Sequence, residues 1–266
     1  MKPFVHATIL FCLFMISVVP VFAGPFKIMS LCDLNYPSDD GIEWECRKLM
    51  RGDSPVKLFG GHWMDVLRFN RLDRRHFITG LSIKVPKRLE DVKEFTPMPA
   101  TYPAAEAEEK FILVDQSEMF LGAYEYGELV LSFPIAVGRD GTRVPNGEFQ
   151  IDAVDRWHRS NLYSVEGLGI PYPMHYGLRF YVDKREDGWS TYWIHGRDLP
   201  GYPVSHGCIG LYDEEMQKKV YKSPKNVLLQ DAKTLYLWVV GSHADSGKFH
   251  KIPYGSRVLI IGTPPI

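Results

Sequence analysis

The sequence predicts a mainly β protein, in which a large β domain follows a small strand-helix-helix-strand module. Across residues 111–261, short runs rich in β-branched and aromatic residues alternate with polar residues and are separated by turns. Clear helical patterning in that region is confined to residues 212–221. We therefore expect the large domain to be a sandwich or open barrel with a helix at one side.

The first residues are typical of a secretion signal. Lys2 precedes an apolar run over residues 7–19, and positions 21 and 23 carry residues of the modest size that signal peptidase accepts. We expect residues 1–23 to be removed, which leaves 24–44 as an N-terminal extension. An uncleaved membrane anchor is the alternative, but the run is shorter than the ~20 residues that a spanning helix needs. No later segment is apolar enough to span a membrane.

Composition excludes one class of partner, and export sets the redox state of the cysteines. The 31 basic and 32 acidic side chains give a formal charge of -1, so there is no electrostatic footprint for nucleic acid.

In an oxidising compartment, Cys32 and Cys46 are close enough in sequence to pair. Cys208 then remains as the free thiol. The alternative is that all three cysteines are reduced.

Residues 45–87 predict the small module. Ser54 is a suitable helix N-cap, and Pro55 suits the first helical position because its missing N–H is not needed there. The predicted elements are a strand over 46–50, a helix from 55 that ends at Gly60-Gly61, a second helix over 63–69 and a strand over 83–85.

This module resembles the lysin motif (LysM), which binds the N-acetylglucosamine-containing glycan of peptidoglycan. The likeness is carried by Gly52-Asp53-Ser54, by Asn70 and by residues 80–86, whereas Pro55 departs from the motif. The resemblance implies a glycan-binding role for residues 45–87. A small α+β support for the main domain is the alternative.

The rest of the chain is predicted to be a linker followed by the β domain. Residues 88–110 are rich in acids, alanines and prolines without apolar periodicity, which indicates a linker. The glycine-rich segment 138–151 leads into a strand and lacks the lysine and following helix of a phosphate-binding loop. The other strand signals within the domain, residues 111–266, cover 111–115, 118–124, 129–137, 178–182, 191–195, 234–240 and 256–261.

The stretch HGRDLPGYPVSHGCIG, residues 195–210, concentrates the chemistry. Side chains alternate along the preceding strand, so Trp193 and His195 point to one face. The loop that follows is rich in proline and glycine and returns the chain so that Cys208 lies beside the end of that strand. A free cysteine with a pKa of about 8.5 is mostly protonated at neutral pH, so an imidazole that takes its proton makes it a better nucleophile.

Two neighbours of the cysteine bear on the same chemistry. Gly207 lets backbone N–H groups around Cys208 approach a developing oxyanion closely, whereas His206 is a poorer base than His195. A zinc site formed by the two histidines and the cysteine is an alternative that lacks a fourth ligand. A Ser-His-Asp hydrolase is disfavoured because the sequence has no nucleophile-elbow motif.

Four segments resemble the L,D-transpeptidase catalytic domain of YkuD type: IHG at 194–196, SHGCIG at 205–210, FPIAVGRDGTRVPNGEFQI at 133–151 and IPYPMHYGLRF at 170–180. The resemblance covers residues 111–221 and resumes at the final strand. It implies a β-sandwich catalytic fold in which Cys208 is the acylated nucleophile, His195 is its base and the Gly196 carbonyl orients the imidazole. The other residues expected at the oxyanion site or in the substrate cleft are Ser205, His206, Gly207, Tyr172 and His175.

Enzymes of this family attack a tetrapeptide stem of peptidoglycan between its third residue, a diamino acid, and the terminal D-alanine, and then transfer the acyl group to an amine. The resemblance therefore implies peptidoglycan stems and glycan as partners, with a second stem or a lipoprotein as acceptor, and no metal or other cofactor. It also implies acylation by carbapenems. The predicted disulfide and the lack of an anchor favour the periplasm over a Gram-positive wall.

Three departures from the family pattern affect this interpretation. Gly210 stands where the family most often has arginine or asparagine, residues 144–147 replace a Thr-Pro-Thr-Gly pattern, and residues 222–254 form a long segment of unassigned role. We expect Gly210 to change the preference for donor or acceptor. An L,D-carboxypeptidase with water as acceptor and a non-catalytic wall-binding protein are the alternative functions.

Overall fold

The computed structural model of the protein describes residues 29–186, 188–241 and 246–265. The predicted signal, residues 1–23, lies outside these ranges. None of the helices within them has the length and apolarity that crossing a bilayer requires.

The small module has the predicted order of elements. At the start of its first helix, the Ser54 hydroxyl accepts a hydrogen bond of 3.3 Å from the Lys57 N–H, and Pro55 is the first helical residue. Its elements are β1 (Trp44–Lys48), α1 (Pro55–Phe59), α2 (Trp63–Phe69) and β2 (Ser82–Pro86). The two strands pair antiparallel in a sheet of their own.

The N-terminal extension is fastened to this module by a covalent bond and a buried charge. Cys32 and Cys46 form a disulfide with their Cα atoms 5.9 Å apart, and Cys208 is the free cysteine of the described residues. The ammonium group of Lys84, on β2, is buried against the Asp39 carboxylate and the Leu34 carbonyl oxygen. The described part of the extension, residues 29–43, therefore packs as part of the fold.

The large domain is built from strands with two helices. In chain order its elements are β3 (Phe111–Asp115), β4 (Phe120–Glu125), β5 (Glu128–Pro134), β6 (Gly147–Gln150), β7 (Ala153–Asp155), β8 (Arg159–Ser164), β9 (Pro171–Pro173), β10 (Gly177–Arg185), β11 (Gly188–Arg197), β12 (Ile209–Tyr212), α3 (Glu214–Tyr221), α4 (Asp231–Val240), β13 (His250–Lys251) and β14 (Arg257–Ile261). The mainly β prediction for this domain is confirmed.

The strands form two five-stranded sheets and one separate hairpin, β8-β9. The first sheet has the order β5-β4-β3-β14-β6, and the second has the order β12-β11-β10-β7-β13. Buried side chains of both sheets, such as Val114 and Leu178, belong to one hydrophobic core. The rings of Phe149 in the first sheet and Phe180 in the second lie 5.5 Å apart, so the sheets pack on each other as in a sandwich.

Residues 234–240 are helical, so the strand predicted there is wrong. Their β-branched and aromatic composition is typical of a strand, but α4 buries Leu235, Tyr236 and Val239 along one side. That spacing suits a helix packed on a sheet, and α4 contacts β11 and β12. The predicted helix at 212–221 begins two residues later, because the Asp213 carboxylate caps it by accepting a 2.8 Å hydrogen bond from a backbone N–H.

The small module and the large domain share one hydrophobic core. Val66, Leu67 and Leu72 are fully buried in the same cluster as the strands of the large domain. The Tyr212 hydroxyl, at the end of β12, donates a 3.0 Å hydrogen bond to the Leu72 carbonyl. The module is therefore packed against the site-bearing sheet.

The segment predicted to be a linker also packs against the rest of the protein. Residues 88–110 contain two short 3-10 turns, and they bury Val92, Met98 and Ala105. The absence of apolar periodicity in their sequence agrees with an irregular backbone. The irregular backbone nevertheless supplies apolar side chains to the core.

Candidate active site

The predicted nucleophile and base lie on neighbouring strands. β11 carries His195 and pairs in parallel with β12, which begins one residue after Cys208. His195 lies opposite Gly210 in this register. Cys208 directly precedes β12 and accepts a hydrogen bond from the backbone of Trp193, two residues before His195 on β11.

The segment that leads to Cys208 is fixed by a second stretch of backbone. Gly210 exchanges two hydrogen bonds with Ala136, at 2.9 and 2.8 Å, and the Ser205 N–H donates to the Val137 carbonyl at 2.9 Å. Residues 136–138 thus cover the edge of β12 that faces away from β11. The cysteine is held between two ordered segments.

Gly207 and Ser205 shape the turn itself. Gly207 has a φ of +113°, and a Cβ there would lie 2.8 Å from the ring of Tyr192, so a larger residue would be strained. The Ser205 hydroxyl is fully buried, accepts from the Gly207 N–H at 3.1 Å and donates to the Cys208 carbonyl at 2.5 Å. Both residues brace the turn, and the Gly207 N–H is engaged inside it.

His195 is buried and oriented by the backbone. Its Nδ1 lies 2.8 Å from the carbonyl oxygen of Gly196. A carbonyl can only accept, so Nδ1 carries the proton and Nε2 keeps its lone pair. Burial lowers the pKa of His195 to about 3, against the opposing effect of the Gly196 carbonyl. The imidazole is therefore neutral at physiological pH and able to accept a proton.

Gly196 is required at its position for a steric reason. A Cβ there would fall on the Asp213 side chain, with the Asp213 Cβ 2.6 Å away. Asp213 is 1% exposed and caps α3. The glycine thus lets β11 approach the start of α3, and this contact sets the position of the carbonyl that orients His195.

Cys208 lies in an environment that favours the neutral thiol. Burial raises the pKa of the Cys208 thiol above its ordinary value, while a hydrogen bond from the Trp193 backbone and the charge of Arg197 act in the opposite direction. Since His195 is also neutral, the pair at neutral pH is a thiol and an imidazole. Nucleophilic attack by this thiol would therefore require that its proton be transferred to a base.

His206 is held away from the role of base. Its Nε2 lies 3.1 Å from a guanidinium nitrogen of Arg139, and its ring stacks on Tyr163 with centroids 4.1 Å apart. Tyr163 belongs to the β8-β9 hairpin, whose exposed apolar residues include Leu162, at 76% exposure. His206 therefore joins the turn before Cys208 to that hairpin.

Tyr172 and His175, predicted to line the cleft, support the backbone at the end of β11. The Tyr172 hydroxyl donates a 3.1 Å hydrogen bond to the Asp198 carboxylate. His175 is 5% exposed, and its carbonyl accepts a 2.8 Å hydrogen bond from the Gly196 N–H. Its ring Nδ1 lies 3.6 Å from the Asp213 carboxylate. Both residues hold neighbours of the site in place.

A buried polar network joins the small module to the loop after β11. The Asp73 carboxylate accepts 2.7 Å hydrogen bonds from the Leu199 N–H and from the Gln217 amide, and it also contacts His76. Burial opposes its ionisation, but His76 and the Leu199 N–H prevail and lower the pKa of Asp73. Asp198 lies beside it, and the ligand atoms of Asp73, His76 and Asp198 fall within 4.8 Å of one another. Hydrogen-bond donors from the protein therefore already contact the carboxylates of Asp73 and Asp198.

The sequence of the large domain matches one family. The matched family is YkuD, the L,D-transpeptidase catalytic domain, over residues 109–260. That range is more than half of the 266-residue chain. The chain belongs to the YkuD family. The comparison with curated proteins gave no match.

Several solved L,D-transpeptidases are similar to this YkuD-family chain at low identity. The enzyme from Mycobacterium smegmatis is 16% identical, with 57% of this chain and 58% of that one covered and a TM-score of 0.36. L,D-transpeptidase 1 from Mycobacterium tuberculosis is 18% identical, with 57% and 62% covered and a TM-score of 0.36. The enzyme from Xylanimonas cellulosilytica is 21% identical, with 74% and 77% covered and a TM-score of 0.40. The chain spans about three fifths of the length of the two mycobacterial enzymes.

Some residues near the YkuD-family motif were not identified from the sequence. Arg197 lies two residues after His195 on β11, so the alternation that places Trp193 beside His195 also predicts Arg197 on that face. Arg139 and Asp213 come from distant segments, and no local pattern reports their contacts. Arg139 is brought to His206 because residues 136–138 pair with the segment around Cys208. Asp213 reaches Gly196 because it caps the start of α3.

Proposed function

We propose that the protein is an exported peptidoglycan L,D-transpeptidase that works through an acyl-enzyme on Cys208. The observation that carries this proposal is the parallel pairing of β11 with β12, which brings Cys208, directly before β12, next to the part of β11 that carries His195, with the proton of His195 held on Nδ1 by Gly196. The predicted signal, residues 1–23, and the Cys32–Cys46 disulfide support action in the periplasm.

The geometry supports a two-step reaction. The Cys208 sulfur attacks the carbonyl carbon of the third stem residue while His195 Nε2 takes the thiol proton. The bond to the terminal D-alanine then breaks, and the imidazolium returns the proton to the departing amine. In the second step an acceptor amine attacks the thioester, gives its proton to His195 and releases the thiol, which leaves a new amide bond in place of the old one.

The acceptor distinguishes this function from its nearest alternative. With water in place of the amine, the same thioester would yield an L,D-carboxypeptidase product. Incubation of the mature protein with a purified disaccharide tetrapeptide, followed by mass analysis, separates the two. We expect a cross-linked dimer that has lost one D-alanine. Tripeptide monomer alone would assign carboxypeptidase activity, and unchanged substrate would contradict both.

Variants of the pair test the same mechanism. We expect Cys208→Ala to abolish product formation and His195→Gln to slow it by ~100-fold or more, the usual cost of losing a general base. His206→Ala should keep partial activity because its ring contacts Arg139 and Tyr163. Near-normal turnover by the Cys208 or His195 variant would contradict the assignment.

Residues 45–87 are proposed to bind the glycan as a lysin-motif-like module. Beside the loop that joins β1 to α1, Met50 and Val56 are 63% and 59% exposed, and apolar side chains of this kind can pack on a sugar ring. Because the module shares its core with the large domain, deletion would also disturb folding. A Met50→Ser, Val56→Ser double variant should sediment less with purified sacculi and still turn over a soluble muropeptide. Equal sedimentation would favour a purely supporting role.

A further inference from the structure

Arg197 occupies the space next to the catalytic pair that Gly210 leaves open. Arg197 lies two residues after His195 on β11, and Gly210 lies opposite His195 on β12. A Cβ on Gly210 would overlap the Cγ and Cδ of Arg197 and would lie 3.2 Å from its Nε. The arginine side chain therefore crosses directly over the glycine that lies opposite His195 and two residues after Cys208.

The charge of Arg197 has no carboxylate partner among the described residues. Its Nε donates a 3.1 Å hydrogen bond to the backbone carbonyl of Asp198. The carboxylate of Asp198 is already occupied, because it contacts Arg75 at 3.0 Å, the Gln217 amide at 2.9 Å and the hydroxyl of Tyr221 at 3.2 Å. The terminal nitrogens of the Arg197 guanidinium are thus left to bind a ligand.

The guanidinium lies close enough to the catalytic groups to act on all of them. Burial is the main cause of the lowered pKa of His195 and of His206, and the positive charge of Arg197 adds to it. At Cys208, where burial raises the pKa, the same charge acts in the opposite direction. The Arg197 guanidinium is partly buried beside the proposed nucleophile, and of its nitrogens only Nε donates a hydrogen bond among the described residues. Such a group suits an anionic ligand, since arginine binds carboxylates through two parallel hydrogen bonds.

We propose that Arg197 binds a carboxylate of the donor peptide and so positions its scissile carbonyl at Cys208, with Gly210 providing the room for the arginine. This inference rests on the proposed function for the identity of the donor. A stem peptide offers a free carboxylate at its terminal D-alanine, and stems that contain diaminopimelate offer another on the third residue. The chemistry is shared, and peptides amidated at either group distinguish the two sources.

The first test measures anion selectivity at Cys208 without any peptide. Iodoacetate carries a carboxylate and iodoacetamide does not, and both alkylate the same thiolate. A variant that changes the fraction of Cys208 present as thiolate changes both rates by the same factor, so the ratio of the two rates is unaffected. We expect Arg197→Gln to lower the iodoacetate-to-iodoacetamide ratio by about tenfold, as the loss of one charged hydrogen bond of ~1.4 kcal/mol would, and Arg197→Lys to lower it less. Arg88→Gln, at an exposed arginine paired with Asp91, should leave the ratio unchanged.

The second test identifies the carboxylate with three donor peptides: the free tetrapeptide, its C-terminal amide and the form amidated on the side chain of its third residue. We expect Arg197→Gln to lower kcat/KM for the free peptide by about tenfold, mainly through KM. One amidated peptide should be used equally well by the variant and the wild type, and that peptide names the contacted group.

The outcomes separate this inference from the proposed function. An unchanged alkylation ratio in folded Arg197→Gln would overturn the anion site, as would an equal penalty on all three peptides. If Arg197→Gln lowers the alkylation ratio but the wild-type protein converts none of the stem peptides, the anion site is supported and the transpeptidase assignment is contradicted. Circular dichroism of each variant shows that the fold is retained.

Discussion

The imidazole of His195 and the carbonyl of Gly196 form a 2.8 Å hydrogen bond that decides which ring nitrogen keeps its lone pair. The carbonyl belongs to the next residue of the same strand, so the orienting group moves with the base. Asp213 packs where a Gly196 side chain would lie, and the start of α3 therefore fixes this carbonyl. The site thus depends on backbone placement, in contrast to triads in which a carboxylate orients the histidine.

The ionisation state of the pair gives the first prediction. Burial raises the pKa of Cys208 and lowers that of His195 to about 3, so neither group is charged at pH 7. Alkylation of Cys208 by iodoacetamide should rise about tenfold per pH unit between pH 6 and 8 and continue to rise beyond pH 9, because only the thiolate reacts. Initial rates from pH 5 to 10 check this, with Cys208→Ala as the unreactive control. A plateau below pH 7 would instead indicate a preformed thiolate-imidazolium pair.

A second prediction concerns the space at Gly196. Gly196→Ala places a methyl group on the buried Asp213 side chain, which should lower the free energy of unfolding by ~1–3 kcal/mol and displace the carbonyl that orients His195. Urea unfolding and muropeptide turnover measure the two effects. Gly61→Ala is the matched control, since nothing lies within 4 Å of a Cβ there. If the Gly196→Ala variant has the stability and turnover of the wild type, the Asp213 side chain does not restrict position 196 and the prediction is wrong.

The buried network between the module and the loop after β11 gives a third prediction. Asp73→Asn replaces a carboxylate oxygen that accepts from both Leu199 and Gln217, so a buried donor loses its acceptor. We expect a loss of ~1–3 kcal/mol in unfolding free energy and a lower rate of acylation, because the loop leads to Cys208. Asp140→Asn, at an 82% exposed carboxylate, should change neither quantity. Equal effects in the two variants would contradict a role for the network.

The local elements were largely predictable from the sequence. Ser54 and Pro55 mark the start of α1, alternation marks β3, β4, β5, β10, β11 and β14, and the His-Gly and Ser-His-Gly-Cys segments indicate the candidate pair. These features depend on residues that are close together in the chain, where propensity and periodicity act directly. The helix α4 was predicted as a strand, but the preference of its strand-forming residues is overridden by packing on the sheet. The strands β7, β8, β9, β12 and β13 were not predicted, and most of them are too short to show a periodic pattern.

Long-range contacts could not be predicted in this way. Nothing near Asp73 in the chain indicates that Leu199 will donate to it, and nothing near Gly210 indicates that Arg197 will cross it. Both relationships arise from the register of β11 with β12 and from the core that the module shares with the large domain. The hydrogen bonds that Ser205, Tyr172 and His175 make inside the protein arise from the same long-range packing.

The acyl-enzyme on Cys208 is tested most directly by intact-mass spectrometry of the mature protein after incubation with a carbapenem. The strained β-lactam carbonyl presents an acyl donor without a stem peptide, so the result depends on the nucleophile alone. We predict one added drug mass, mapped to the peptide that contains Cys208 and absent from Cys208→Ala. An adduct that persists in Cys208→Ala, or a folded wild-type protein that forms none, would contradict the assignment of Cys208 as the nucleophile.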